Sequence, residues 1–224
     1  MAVRTNRPVT REPIAALNRV TITENNGPLV EIANGQTGIL IRPDRRIWVR
    51  APVAEMLRRV QQSLPTGLHL YLLEGYRSRE RQRVIYERFW AEWRERRPDW
   101  PRNILQRHVY RFVAPPHEKS PPGHCTGGAI DLSLIDDTGQ EIDFVSPRGL
   151  KIANAPTWSE DVSPTAQANR ELLFEAMEAQ GFKNYPQEWW HYSFGDSGWA
   201  VRTGRKTCFY GALDPPPGYE PPVA

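Results

Sequence analysis

The chain has 224 residues, with 29 Lys or Arg against 26 Asp or Glu for a formal charge of +3, and 39% of it is hydrophobic. This fits one soluble, loop-rich globular domain and argues against a disordered or fibrous chain, while the near-balance of charge makes no case for nucleic acid. No apolar run approaches the roughly 20 residues that span a bilayer, and the opening MAVRTNRPVTREP lacks the apolar centre of a secretory signal, so the expectation is a cytoplasmic protein with no membrane partner. Cys125 and Cys208 are too few for a disulfide framework or a paired-thiolate zinc site and read as free thiols.

Residues 1–12 are polar and read as peripheral. Val53, Met56, Leu57 and Val60 recur at helical spacing, and that helix stops near Pro65-Thr66-Gly67. Leu68 to Leu73 predicts a buried strand running into Glu74-Gly75-Tyr76-Arg77. Ser78 can cap a long helix to about Arg96, with Ile85, Phe89 and Trp93 along one side, and Pro98 ends it. A short helix is predicted over 103–112, then a loop from Ala114 to Gly123 with four prolines and His117. Ala129 to Ile135 predicts a strand, and the turn signal Asp136-Asp137-Thr138-Gly139 predicts that Gln140 to Val145 returns beside it as a hairpin. Ser163-Pro164 starts a helix with Leu173, Ala176 and Met177 on its apolar face and Gly181 as its stop. Trp189 to Phe194 is the last predicted strand, and the proline-rich tail 214–224 can neither pair well in a sheet nor continue a helix. Strands and helices mix without regular alternation, which predicts an α+β single domain over 13–213, with a central, mainly antiparallel sheet flanked by helices.

Asp131 lies between Ile130 and Leu132, where an ionised carboxylate is costly unless something positive compensates. A divalent metal is such a partner. His124 lies seven residues earlier, beyond the flexible Gly127-Gly128 pair, and can point at the same ion. A third ligand is available in Gln187-Glu188-Trp189-Trp190-His191. Residues three apart face opposite sides of a regular strand, so Glu188 and His191 meet at one site only if Glu188 lies in the approach to the strand or at a bulge. His124, Asp131 and His191 supply the three protein ligands of a catalytic zinc with an open position. Glu188 is then a non-ligand carboxylate able to move a proton, and Arg77, just after a strand end, a guanidinium able to stabilise a developing oxyanion.

Taken in order, Gly75-Tyr76-Arg77-Ser78, His124-x-x-Gly127-x-Ala129-x-Asp131 and Glu188-x-Trp190-His191 resemble the zinc D-alanyl-D-alanine dipeptidases of the vancomycin-resistance type, in the D,D-peptidase group (peptidase family M15) related in fold to the hedgehog signalling domain. The resemblance spans roughly residues 50 to 194. It implies one zinc per chain on His124, Asp131 and His191, Glu188 as general base and acid, Arg77 as transition-state stabiliser, and hydrolysis of D-Ala-D-Ala in the cytoplasm within a constricted cavity. The family usually has Ser two residues before the first zinc-binding His; this chain has Pro122 there, and its nearest serine is Ser120. Candidate substrate-binding residues are Tyr76, Ser120 and Trp190, and the expected partner is a small peptide.

Other readings of the same residues are a related metallo-carboxypeptidase or amidase acting on another short peptide, and a protein that binds zinc for stability alone. A nucleic-acid surface on the Arg- and Trp-bearing helix 79–97 is a more distant reading, because Glu80, Glu87, Glu92 and Glu95 offset its charge at intrahelical spacing. His69 reads as a strand residue, His108 as a helix residue and Cys125 as a small neighbour of the site. His117 and Glu118 are candidates for the pocket wall.

Overall fold

The computed structural model describes residues 12–221, so the polar segment expected over 1–12 lies outside the described residues except for Glu12. In chain order the helices are α1 (Ile14–Leu17), α2 (Ala51–Ser63), α3 (Arg79–Arg96), α4 (Arg102–Val109), α5 (Pro164–Ala179) and α6 (Ser197–Arg202). The strands are β1 (Thr21–Ile22), β2 (Leu29–Ile32), β3 (Leu40–Ile41), β4 (Ile47–Arg50), β5 (Leu68–Glu74), β6 (Ala129–Asp136), β7 (Lys183–Asn184), β8 (His191–Ser193) and β9 (Thr207–Cys208). Five of them form the central sheet in the order β3-β5-β6-β8-β7, antiparallel except for the β3–β5 pair. The α+β fold, mainly antiparallel, is therefore present. Among the described residues no helix is long and apolar enough to cross a membrane.

One face of this sheet makes the core. Leu70 and Leu72 of β5 and Ile130, Leu132 and Leu134 of β6 are fully buried with Val53, Leu57 and Val60 of α2 and Leu173 and Met177 of α5. Each such side chain contributes roughly 1.5–3 kcal/mol of burial. The helix starts follow local chemistry, since the Ser78 and Ser163 hydroxyls accept from the amides of Arg81 and Ala166.

Two expectations are corrected. The turn at 136–139 forms, but the return stretch makes only a bridge between Ile135 and Glu141 rather than a strand. Asp143 diverts the chain, its Oδ1 accepting from the amides of Val145 and Ser146. The strand expected from Trp189 begins at His191 because Trp189 and Trp190 lie in a turn, and α6 and β9 follow it. The tail, though at the surface, is held as far as Tyr219: the Tyr219 ring packs edge-on against Tyr76 at 5.2 Å, and Arg46 donates to the Gly218 carbonyl at 2.7 Å.

Arg50, fully buried at the end of β4, joins distant loops. Its guanidinium donates to the carbonyls of Thr126 at 2.8 Å, Gly27 at 2.7 Å and Gly211 at 3.1 Å, and it pairs with Glu24 at 2.9 Å. Gly75 is equally constrained by close approach: a Cβ there would lie 2.5 Å from the Trp48 carbonyl oxygen and 3.0 Å from Ile47 Cγ2. Gly75→Ala is expected to force β4 and β5 apart and cost about 1–3 kcal/mol. A thermal melt lower by several degrees is the expected reading, and an unchanged melting temperature would contradict the crowding.

Candidate metal centre

The centre is built on a cross-strand row. In the sheet register Asp131 of β6 stands opposite His191 of β8 on one side and Glu74 of β5 on the other. Directly opposed residues share a face, so these three side chains emerge together on the face away from Leu132. Glu74 reaches that face through a bulge. Leu72 pairs with Leu132, yet Glu74 pairs with Asp131, so Leu73 is the extra residue. In an unbulged register with Leu73 paired, Glu74 would share the core-facing parity of Leu70 and Leu72.

His124 arrives from the 3₁₀ turn Gly123–Thr126, which ends at Gly127 in the left-handed conformation with φ 70°. Its Nδ1 lies 2.8 Å from the Gly75 carbonyl, so Nδ1 carries the proton and Nε2 is left to act as a ligand. Nε2 is 3.3 Å from Asp131 Oδ2, and His191 Nδ1 is 2.9 Å from Asp131 Oδ1. Potential ligand atoms of His124, Asp131 and His191 all lie within 4.8 Å of one another, the one such group of three among the described residues. Two imidazoles and a carboxylate at this separation, with a carbonyl behind one imidazole, fit zinc.

Two consecutive turns bring in Glu188, whose amide donates to the Tyr185 carbonyl at 2.9 Å, while the His191 amide donates to the Glu188 carbonyl at 3.2 Å. Asn184, buried, holds both turns: its Nδ2 donates to the Glu188 and His191 carbonyls at 3.1 Å each, and its Oδ1 accepts from the Thr157 hydroxyl at 2.6 Å. Glu188 thus lies in the approach to the strand, which is how residues three apart line the same cavity.

Charge is strongly organised here. Burial would raise Asp131, but His124 and His191 hold it far below the usual carboxylate range. Burial alone would lower His124, yet Asp131 raises it. Burial, together with the positive side of His124 and Arg202, keeps His191 below its ordinary value despite the Asp131 contact. One proton between the two rings therefore sits first on His124. For Glu188, burial and the negative charge of Asp131 push the carboxyl up to about 8. Arg77 is mostly buried and charged, its Nε and Nη2 donating to the two Glu74 oxygens at 2.9 and 2.8 Å.

These groups open on a cavity of about 360 Å³ lined by Arg77, His124, Asp131, Glu188 and His191. Trp190, Ser120 and Glu118 lie on its wall. Tyr76 does not: its hydroxyl donates to the Leu213 carbonyl at 2.8 Å and its ring packs on Tyr219, so the substrate-binding expectation for Tyr76 is corrected. His117 also falls outside this cavity and packs edge-on against Tyr86.

The model of the D-Ala-D-Ala dipeptidase family, peptidase M15, matches residues 30–208. The chain belongs to that family. It is similar to the D-alanyl-D-alanine dipeptidase of Synechocystis sp., 36% identical over 52% of this chain and 55% of that protein, and to that of Enterococcus faecium, 30% identical over 64% and 71%. The chain thus spans about half the length of the first of these relatives. Among solved structures, VanYB in complex with D-alanine-D-alanine aligns with 84% of this chain and 93% of that one, at 16% identity and a TM-score of 0.49.

The M15 motifs do not reveal the rest of the cavity wall. Glu12 pairs with Arg202 at 2.5 Å, and Asn18 donates to Glu118 at 2.8 Å while accepting from the Ser120 amide at 2.9 Å. All of these residues line the cavity; Glu118 and Ser120 were already candidates for its wall, whereas nothing in local periodicity marks Glu12, Asn18 or Arg202. Gln82, which contacts Arg77, was equally hidden within a charged helix.

Because the first proton rests on His124 above its ordinary 6.5, zinc must displace it. Zinc affinity is expected to fall as pH drops through the His124 range and to level off at higher pH, with a proton released on binding below that plateau. Calorimetry in two buffers of different ionisation enthalpy checks this, and an affinity independent of pH would contradict it.

Proposed function

We propose that residues 13–213 form a zinc-dependent dipeptidase that hydrolyses a small D-amino-acid dipeptide such as D-Ala-D-Ala, with one zinc per chain on His124, Asp131 and His191. The observation that carries this reading is the meeting of that ligand set with Glu188 and Arg77 in one cavity. A structural zinc would need neither of the last two. Zinc on these ligands would polarise the scissile carbonyl and acidify water.

The chain's own residues do the remaining work. Glu188, with its carboxyl pushed up to about 8 by burial and by the negative charge of Asp131, takes the proton of the attacking water and returns it to the leaving amino group. A cation beside Asp131 removes one of the two causes of that rise and favours the basic form of Glu188. Arg77 has three of its five N–H groups engaged by Glu74 and Gln82 among the described residues. The other two are available to the carbonyl oxygen as negative charge develops on it. Glu74 is shared with Arg81 at 2.8 Å, which stops the guanidinium from swinging.

The cavity lies at the small end of the range for ligand sites, which supports a short substrate. On α3, Arg83 pairs with Glu80 at 2.5 Å and with Glu87 at 2.8 Å, and Arg96 pairs with Glu92 at 2.6 Å, which favours a solvated face over a nucleic-acid surface. Two buried, unpaired cysteines are consistent with a cytoplasmic location. Ser120 and Trp190, on the cavity wall, are assigned to substrate binding.

The test is a panel of D,D-, L,D- and L,L-dipeptides and longer peptides, with and without chelator. Cleavage confined to D,D-dipeptides and abolished by chelator is expected; cleavage of longer peptides alone would replace this reading with a carboxypeptidase of the same chemistry. Glu188→Ala should keep its zinc and lose about 10²–10⁴ in kcat. Arg77→Ala should lose about 10²–10³, and wild-type turnover in either variant would remove that residue from the mechanism.

A further inference from the structure

Helix α3 has eighteen residues and one fully buried side chain, and that side chain is a glutamine: Gln82, 1% exposed. Burying an amide costs free energy unless both of its ends are hydrogen-bonded. Both are. Oε1 accepts from Arg77 Nη1 at 2.7 Å, and Nε2 donates to the Ala114 carbonyl at 2.7 Å. A guanidinium only donates and a carbonyl only accepts, so the amide has a single satisfied orientation.

Glu74 grips one edge of Arg77 through Nε and Nη2, and Gln82 holds the Nη1 corner. The far end of Gln82 is tied to Ala114, in the loop that forms part of the cavity wall. We propose that Gln82 is a positioning residue for the reaction: it fixes the direction in which the unengaged N–H groups of Arg77 point and couples that guanidinium to the Ala114 wall. This rests on the dipeptidase reading. Gln82 touches no reacting atom and acts through Arg77.

The test is a double-mutant cycle with Gln82→Met, which keeps the length and volume of the side chain and removes both hydrogen bonds. In the zinc-loaded protein kcat is expected to fall about ten- to a hundredfold with KM little changed, because a displaced donor weakens the transition state more than the ground state. Zinc content should stay at wild-type level. In an Arg77→Ala background, Gln82→Met should lower kcat by less than about twofold, since the group it positions is gone. A single-variant kcat within about twofold of wild type, or the same loss in both backgrounds, would overturn the assignment.

Gln82→Glu provides a second, pH-dependent reading should Gln82→Met fail to fold. The ionised carboxylate opposes the Ala114 carbonyl, whereas the protonated acid restores one acceptor and one donor. Its kcat relative to wild type at the same pH is therefore expected to rise as pH falls, and a ratio that does not vary with pH overturns the proposal. Inactivity of the wild-type protein on every peptide would refute the dipeptidase reading itself and the Gln82 role with it. An active wild type with additive variants refutes only the latter.

Discussion

The constraint on which the rest of the structure depends is the ionised carboxylate of Asp131 in the middle strand of the sheet. Left alone, such a charge costs several kcal/mol to bury. Here it is flanked by two imidazoles, one from the neighbouring strand and one from the turn that precedes its own strand. The turn's place is set by short backbone contacts, with the Arg77 amide donating to the His124 carbonyl at 3.1 Å and the Gly75 carbonyl meeting His124 Nδ1. The bulge at Leu73 then puts Glu74, and through it Arg77, on the same face. Compensation of one buried charge and assembly of the candidate site are thus one arrangement.

Around that arrangement the chain is irregular, with 21 prolines, and irregular backbone cannot satisfy its own carbonyls. Buried guanidinium groups do so instead. Arg50 collects carbonyls from three loops, including that of Thr126 next to the metal motif. Arg170 on α5 donates to the carbonyls of Phe144, Asn154 and Pro156, and burial lowers it to about 10. The planar five-donor fork suits this role better than an ammonium. Phe144 in turn stacks on Trp189 at 4.3 Å, so the support reaches the turn that carries Glu188. The rigidity of the site therefore comes from side chains that take no part in its chemistry.

The cavity wall has a different origin. Glu12, Asn18, Arg202 and the 118–120 loop come from both ends of the chain and from its middle, and they meet through side-chain pairs rather than through a shared sheet. The centre of the site rests on the sheet register and the turn before β6. The outline of the space in front of it is written in these long-range contacts.

Much was legible in advance. A carboxylate inside an apolar strand, a histidine before a glycine pair, and the Glu-x-x-His spacing each violate a local rule, and charge compensation is a reason for all three at once. Helix starts at Ser78 and Ser163 were equally plain, because a cap is a local hydrogen bond. The chain alone therefore determined the helices α2 to α5 and the strands β5 and β6, the α+β class and the ligand set worth testing. Tertiary structure decided which way side chains point and what meets what: that Glu74 faces the site and Tyr76 does not, that the stretch after Gly139 makes a bridge instead of a strand, that Gln82 meets Arg77, and that Asn184 holds the carbonyls of Glu188 and His191. The physical reason is that one bulged residue reverses the facing of all that follows, and that contacts between residues a hundred or more apart leave no trace in local periodicity.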